Sequence, residues 1–102
     1  MKLGLVMVYK LVSVVKSPNP AKKWRATFKD GDRMKHTDFG QAGAPDFTLT
    51  GDEARRDAYR TRHKKDLDTG DPTRAGFLSY FLLWNKPTLA GSVRDYKSRF
   101  NM

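Results

Sequence analysis

The chain has 102 residues, of which 38% are hydrophobic and 30% are charged, and it contains no cysteine. This length and apolar content suffice for one hydrophobic core, and they exclude a disordered tail, a disulfide framework and a thiolate metal site. Twenty Lys and Arg against eleven Asp and Glu give a formal net charge of +9. Because both halves are positive, we expect one basic domain over residues 1–102 whose partner is a polyanion or an acidic protein surface.

Residues 1–49 are predicted to be mainly strand and loop. The apolar stretch over residues 3–15 predicts buried strand, since it is too short and too often interrupted by polar residues to span a bilayer. Pro18 and Pro20 end this strand, because each fixes φ and lacks a donor for the sheet ladder. We therefore expect no membrane span.

Residues 22–39 predict a β-hairpin about Asp30-Gly31-Asp32, because Asp-Gly between alternating segments favours a tight turn. A three-residue loop would place Phe28 opposite Met34 and Ala26 opposite His36. This register predicts one face toward the core and one cationic face. The cationic face would carry four candidate binding residues: Arg25, Lys29, Arg33 and Lys35.

Residues 50–102 are predicted to be mainly helical, with about three helices packed against the N-terminal antiparallel strands in an α+β fold. Thr50 and Glu53 fit a capping box at the start of a helix over residues 52–65. This helix has few apolar residues and is rich in cations around one aromatic ring. Its candidate nucleic-acid or partner-binding residues are Arg55, Arg56, Tyr59, Arg62, His63 and Lys65.

Guanidinium groups bind phosphates in bidentate geometry, and aromatic rings stack on bases, so this basic helix is the main candidate site. The alternative is a solvated helix face whose cations are partly matched by Asp52, Glu53 and Asp57. The basic hairpin face favours the first interpretation, because two basic faces on one small domain point to an anionic partner.

Two more helices are predicted after residue 70. Asp71 and Pro72 fit the first positions of a helix over residues 71–84, which is apolar nearly all round and should be central to the core. Thr88 fits the cap of a last helix that extends to about Phe100. Its apolar stripe consists of Leu89, Val93, Tyr96 and Phe100.

Catalytic, metal and cofactor sites are not expected. His36 and His63 lie in no nucleophile–base motif, and the acidic run over residues 66–71 lacks the glycine and glutamate that a calcium loop requires. We therefore predict no enzyme, with no catalytic residue and no cofactor. An enzyme is the third functional hypothesis. It would require polar groups within residues 66–84 to converge in a pocket.

Several short runs within residues 59–100 carry a resemblance to known sequences. They are Arg62-His63, Asp66, Gly70-Asp71-Pro72-Thr73-Arg74-Ala75-Gly76, Leu83-Trp84-Asn85-Lys86 and Tyr96-Lys97-Ser98-Arg99-Phe100. With them the segment resembles a small family of uncharacterised basic proteins from large DNA viruses of algae and protists, of phycodnavirus type. The resemblance implies a viral origin and a location in the virion, or in the host cytoplasm or nucleus during infection. It carries over no functional residue.

The favoured functional hypothesis is a non-enzymatic small basic viral structural protein. As a minor capsid or core component it would contact acidic shell proteins or the genome, as an assembly subunit or an oligomer. The alternative is a sequence-tolerant nucleic-acid-binding protein. Both hypotheses depend on the cationic residues of the hairpin and of the basic helix.

Overall fold

The computed structural model of the chain describes residues 9–102, so the predicted strand over residues 3–15 lies partly outside the described residues. Three antiparallel strands come first, namely β1 (Lys10–Lys16), β2 (Lys22–Asp30) and β3 (Arg33–Gln41). Helical segments follow, namely α1 (Phe47–Thr50), α2 (Glu53–His63), α3 (Ala75–Leu78) and α4 (Leu89–Arg99). A 3₁₀ helix over Lys64–Thr69 follows α2, and a π-helical segment over Ser79–Leu83 continues α3. The α+β prediction is confirmed.

The strands form one sheet in the order β1-β2-β3, and the predicted hairpin joins β2 to β3. Its loop contains two residues, with Gly31 at a φ of 61°, as a type II′ turn requires at its first position. Phe28 consequently lies opposite Lys35, and Asp30 lies opposite Arg33. The predicted register is therefore wrong by one residue.

This shift also makes the predicted cationic hairpin face wrong. Opposite residues of an antiparallel pair share a side of the sheet, so Arg33 and Lys35 share the side of Phe28, whereas Arg25 and Lys29 lie on the other. The observed register is favoured because it buries Phe39 completely. With the predicted register, Asp38 would have taken the place of Phe39 on the core side.

One apolar cluster joins the sheet to the helices. Phe28 and Phe39 contribute from the sheet, and Leu78, Leu82 and Tyr96 contribute from the helical half, all with no exposed surface. The central position predicted for the segment before Trp84 is confirmed, because Phe77 and Phe81 are also buried.

The predicted start of that core helix is wrong, because α3 begins at Ala75. The Asp71 carboxylate accepts hydrogen bonds from the Thr73 N–H (2.9 Å) and hydroxyl (2.7 Å), and this closes a local turn instead of a helix cap. The predicted last helix is confirmed, since Thr88 caps α4 and its hydroxyl accepts a bond from the Gly91 N–H.

The predicted capping box of α2 is wrong in its cap residue. Asp52 caps the helix by accepting a hydrogen bond from the Arg55 N–H (3.2 Å), and Thr50 accepts one from the Asp52 N–H (3.1 Å). A carboxylate at this position also interacts favourably with the positive end of the helix dipole. Among the helices over residues 9–102, none is long and apolar enough to cross a membrane.

Candidate functional site

A stack of three rings lies between α2 and the end of the π-helical segment. Tyr59 and His63, four residues apart on α2, stack with ring centroids 4.1 Å apart. Trp84 stacks on Tyr59 with centroids 4.5 Å apart and planes within 9° of parallel. We call these three residues the aromatic stack. It brings together two predicted site residues and a tryptophan from a distant part of the sequence.

The surroundings of the aromatic stack hold both of its ends in place. His63 Nδ1 lies 3.1 Å from Asp66 Oδ2. At the other end, the Trp84 carbonyl accepts a hydrogen bond from Arg60 Nη1 (2.9 Å), and the Trp84 N–H donates to the Ser79 carbonyl (3.2 Å). Burial raises the pKa of Tyr59, and the nearby Asp66 carboxylate acts in the same direction. Tyr59 is therefore a neutral ring in the middle of the stack.

A cleft of about 350 Å³ lies at the Trp84 end of the aromatic stack, and we call it the α2 cleft. It is lined by Pro45, Arg55, Ala58, Arg62 and Trp84, whereas Tyr59 and His63 do not line it. The three α2 residues are three and four positions apart, so they form one stripe on the surface of the helix. The cleft thus combines two guanidinium groups, two small apolar side chains and one indole ring.

A second cavity, of about 280 Å³, is lined by all three rings of the aromatic stack. Lys23 and Asp46 also line it. Lys23 and Asp46 form a buried ion pair, in which the side chains are 14% and 3% exposed. Because these two charges neutralise each other, this cavity offers no excess charge to a partner.

The six predicted residues of the basic helix differ in what they contact. Arg55, Arg62 and Lys65 are exposed and form no ion pair with any of residues 9–102. Arg56 instead bonds Asp57 (3.0 Å) and lies over the Phe47 ring. Lys65 belongs to the 3₁₀ helix and does not line the α2 cleft. Arg55 and Arg62 are therefore the cations that the site itself presents.

The four predicted hairpin residues do not form one surface. Arg25 donates two hydrogen bonds to the Asp38 carboxylate (2.7 and 3.1 Å), and these bonds lower the pKa of Asp38. Lys35 donates to the Thr73 hydroxyl at 2.6 Å. Lys29 and Arg33 are exposed near the hairpin tip, on opposite sides of the sheet. The hairpin cations are thus either bound within the fold or separated.

Sequence reasoning missed Pro45, Ala58 and Trp84 as site residues. Ala58 had a detectable signal, since it lies on the same helical stripe as Arg55 and Arg62. Trp84 was predicted to belong to the core. The prediction is correct in part, because the residue packs against the core but is only partly buried. No local pattern indicated that the ring would also stack on Tyr59, twenty-five residues earlier.

One side-chain pair in the sheet has the contact of a nucleophile and a base. The Thr27 hydroxyl lies 2.9 Å from His36 Nδ1. Thr27 is only 8% exposed, however, and the neighbouring Asp38 bonds Arg25 instead of orienting the imidazole. Over residues 9–102, moreover, no three His, Asp or Glu side chains form a group suited to a metal ion.

The fold and the site define a small basic α+β protein with an aromatic cleft on one helix. The chain belongs to a family of unknown function (DUF5754), whose family model matches residues 12–63, just over half of the chain. The match includes Arg55, Tyr59 and Arg62 and ends before Trp84. No curated protein and no solved structure matches the chain. The resemblance to viral proteins over residues 59–100 stays a prediction.

Proposed function

We propose that the protein is a non-enzymatic nucleic-acid-binding protein that holds backbone phosphates with Arg55 and Arg62. The observation that carries this proposal is the pair of exposed guanidinium groups on either side of Ala58, beside the Trp84 ring. Seven residues of α-helix separate the two arginines by about 10 Å along the axis, enough for two different phosphates. The net charge of +9 adds long-range attraction for a polyanion.

The types of side chain in the α2 cleft support nucleic acid over a small substrate. Arginine forks match the oxygen geometry of phosphates, and aromatic rings add contact with bases regardless of sequence. The cleft presents no carboxylate and no hydroxyl among its lining residues. Both arginines are assigned to phosphates in this proposal, which leaves no side chain of the cleft to read base edges, so we expect binding that tolerates any sequence.

Salt-dependent titration of the protein with fluorescent DNA tests this function. For wild type, affinity should fall steeply between roughly 50 and 200 mM salt. The double variant Arg55→Gln with Arg62→Gln should lower the slope of log affinity against log salt by about 1.4–1.8, because two phosphate contacts are lost.

The matched control removes the same charge from the hairpin, with Arg25→Gln and Lys35→Gln. These cations bind Asp38 and Thr73, so the salt slope should stay close to that of wild type. An equal decrease of the slope in both double variants would mean that net charge alone drives binding. The absence of binding at low salt would refute the function itself.

A second candidate is a minor capsid or core component of a virion, in contact with acidic shell proteins. The specific observation is apolar surface on the sheet, where Val12, Val15 and Met34 are 54%, 51% and 53% exposed. Val15 and Met34 lie on the side of the sheet that faces away from the helices. A contiguous exposed apolar patch marks a surface that assembles with other proteins, and this candidate requires these side chains to act together as such a patch.

Incorporation into purified particles separates the two candidates. For a virion component, Val15→Ser with Met34→Ser should reduce incorporation, whereas the Arg55 and Arg62 double variant should still enter particles. The reverse pattern is expected if the genome recruits the protein through the α2 cleft. Normal incorporation of the Val15 and Met34 variant would exclude the sheet face as an assembly surface.

A further inference from the structure

We infer that the α2 cleft takes one unstacked base of a single-stranded nucleic acid, which continues the aromatic stack beyond Trp84. Arg55 and Arg62 then hold phosphates of the same strand. This inference rests on the proposed function, and it adds to it the class of nucleic acid and the place of a base.

The first step is the order of the rings. Tyr59 stacks on His63 with planes 21° apart and on Trp84 with planes 9° apart, at similar centroid distances. Two rings at these distances do not fit on the same face of one phenol, so His63 and Trp84 lie on opposite faces of Tyr59. One face of Trp84 is thus covered by Tyr59, and its other face points away from the stack.

The second step concerns the α2 cleft. Trp84 lines the cleft while Tyr59 and His63 do not, so the indole is the one ring of the stack that a group in this cleft meets. Pro45 and Ala58 add apolar walls, and Arg55 and Arg62 lie at the side of the cleft formed by α2. With about 350 Å³ the cleft is at the small end of the range of ligand sites, which suits a single planar group.

The third step concerns preorganisation of the indole ring. The Trp84 carbonyl is bonded by Arg60, and the Arg60 guanidinium itself lies 4.3 Å from the Tyr80 ring centroid. Tyr80 belongs to the buried core. The position of Trp84 is therefore fixed by the core, and a base that stacks on it meets a surface already in place.

The last step selects single strands. In a duplex the faces of the bases are covered by their neighbours, so Trp84 has no base to stack on and binding depends on the phosphate contacts of Arg55 and Arg62. Single strands expose base faces, and a base stacked on an aromatic side chain adds affinity whatever its identity. We therefore expect single strands to bind more tightly than duplexes of equal phosphate number, by roughly 5- to 150-fold for one base.

Tryptophan fluorescence tests the inference directly. The chain has two tryptophans, so Trp24→Phe leaves Trp84 as the only indole. Titration of this variant with a single-stranded oligothymidylate should quench the Trp84 emission, whereas a duplex of the same phosphate number should bind without quenching. In both titrations the affinity should fall as the salt concentration rises, because Arg55 and Arg62 contact phosphates of either ligand.

The Trp84→Leu variant provides the complementary measurement. It should lower the affinity for oligothymidylate to the level of the duplex, with circular dichroism as a check of the fold. If this variant does not fold, the quenching experiment decides alone, because it keeps Trp84.

The outcomes are distinguishable from a failure of the proposed function. Equal affinities for single strand and duplex, without quenching, overturn the inference and leave the proposed function in place. No binding of either ligand at low salt overturns both. Polyglutamate that competes as well as oligothymidylate also overturns the inference, because an acidic polypeptide of this kind offers no ring to Trp84.

Discussion

The β2–β3 hairpin and helix α2 are both rich in cations, but only α2 leaves a pair of them together at the surface. On the hairpin, Lys23 bonds Asp46, Arg25 bonds Asp38 and Lys35 bonds Thr73. On α2, Arg55 and Arg62 share Ala58 and Tyr59 as neighbours three and four residues away, and neither arginine forms an ion pair with any of residues 9–102. The difference shows that the identity of the neighbours, more than the density of charge, decides which cations a partner can reach.

The largest expected effect comes from breaking the buried pair of Lys23 and Asp46. We expect Asp46→Ala to lower the free energy of unfolding by about 3–5 kcal/mol, because it leaves the Lys23 ammonium buried without its counter-charge. The same carboxylate accepts a hydrogen bond from the Thr48 N–H at the start of α1. Urea unfolding measures the loss.

Asp32→Ala is the control for this variant, because Asp32 is exposed in the hairpin loop and should contribute less than about 0.5 kcal/mol. Folded Asp46→Ala protein should retain the salt slope of wild type in DNA titrations, since Arg55 and Arg62 are untouched. A loss of stability as small as that of Asp32→Ala would contradict the assignment of this pair to the fold.

Within α2, Arg60 and Arg62 allow the same comparison between a cation bound within the fold and an exposed cation. Arg60 bonds the Trp84 carbonyl (2.9 Å) and lies over the Tyr80 ring, whereas Arg62 is exposed. We expect Arg60→Gln to reduce the unfolding free energy by about 1–3 kcal/mol, because a charged hydrogen bond to a partly buried carbonyl is lost. Arg62→Gln should change it by less than about 0.5 kcal/mol.

Thermal unfolding and DNA titration of both single variants measure this contrast. Arg62→Gln should lower the salt slope by about 0.7–0.9, and Arg60→Gln should lower it less, because its guanidinium faces the protein. Equal stability losses in the two variants would show that α2 does not divide its arginines between the fold and a partner.

The smallest expected effect is the pH dependence of the hairpin pair. Hydrogen bonds from Arg25 lower the pKa of Asp38, so the folded state binds a proton less readily there than the unfolded state. The stabilisation is therefore complete above the unfolded value, about 3.9, and is lost as the pH falls below it toward the folded pKa. Asp38→Asn should make the fall in the urea midpoint between neutral pH and about pH 3 shallower.

That pH dependence should not vanish in Asp38→Asn, because two other carboxylates contribute in the same direction. Burial acts to raise the pKa of Asp71 and of Asp95, but hydrogen bonds outweigh burial, so both pKa values are lowered. Thr73 donates these bonds to Asp71, and Asn85 and Arg99 donate them to Asp95. A variant that lost stability with acid as steeply as wild type would show that Arg25 and Asp38 contribute nothing measurable.

The α+β class, the hairpin turn and the cap of α4 were predictable from the sequence, because each depends on local chemistry. Asp-Gly favours a tight turn, and Thr88 precedes an apolar stripe with helical spacing. The hairpin register was not predictable from this local chemistry. Asp30-Gly31-Asp32 fits a two- or a three-residue loop, and burial of Phe39, far from the loop, decides between them.

The candidate site was predictable only in part, for a related reason. Arg55 and Arg62 were correctly placed on an exposed helix by their spacing and by the few apolar residues around them. The hydrogen bonds of Arg25, the contact of Arg56 with Phe47 and the stack of Trp84 on Tyr59 depend on the tertiary fold. Charge counted along the sequence therefore overestimated the continuous cationic surface of the hairpin.

The π-helical segment shows how narrowly the aromatic stack depends on chain length. The Trp84 N–H reaches back five residues to Ser79, whereas in an α-helix the residue bonded to Ser79 would be Leu83. A π-turn is an α-turn that has accommodated one additional residue. If the same sequence formed a regular α-helix here, Leu83 would stand in the angular position where the indole now meets Tyr59, so the additional residue is what brings Trp84 onto the stack. Deletion of one residue from the turn would instead restore α-helical spacing and keep Trp84 near its present position.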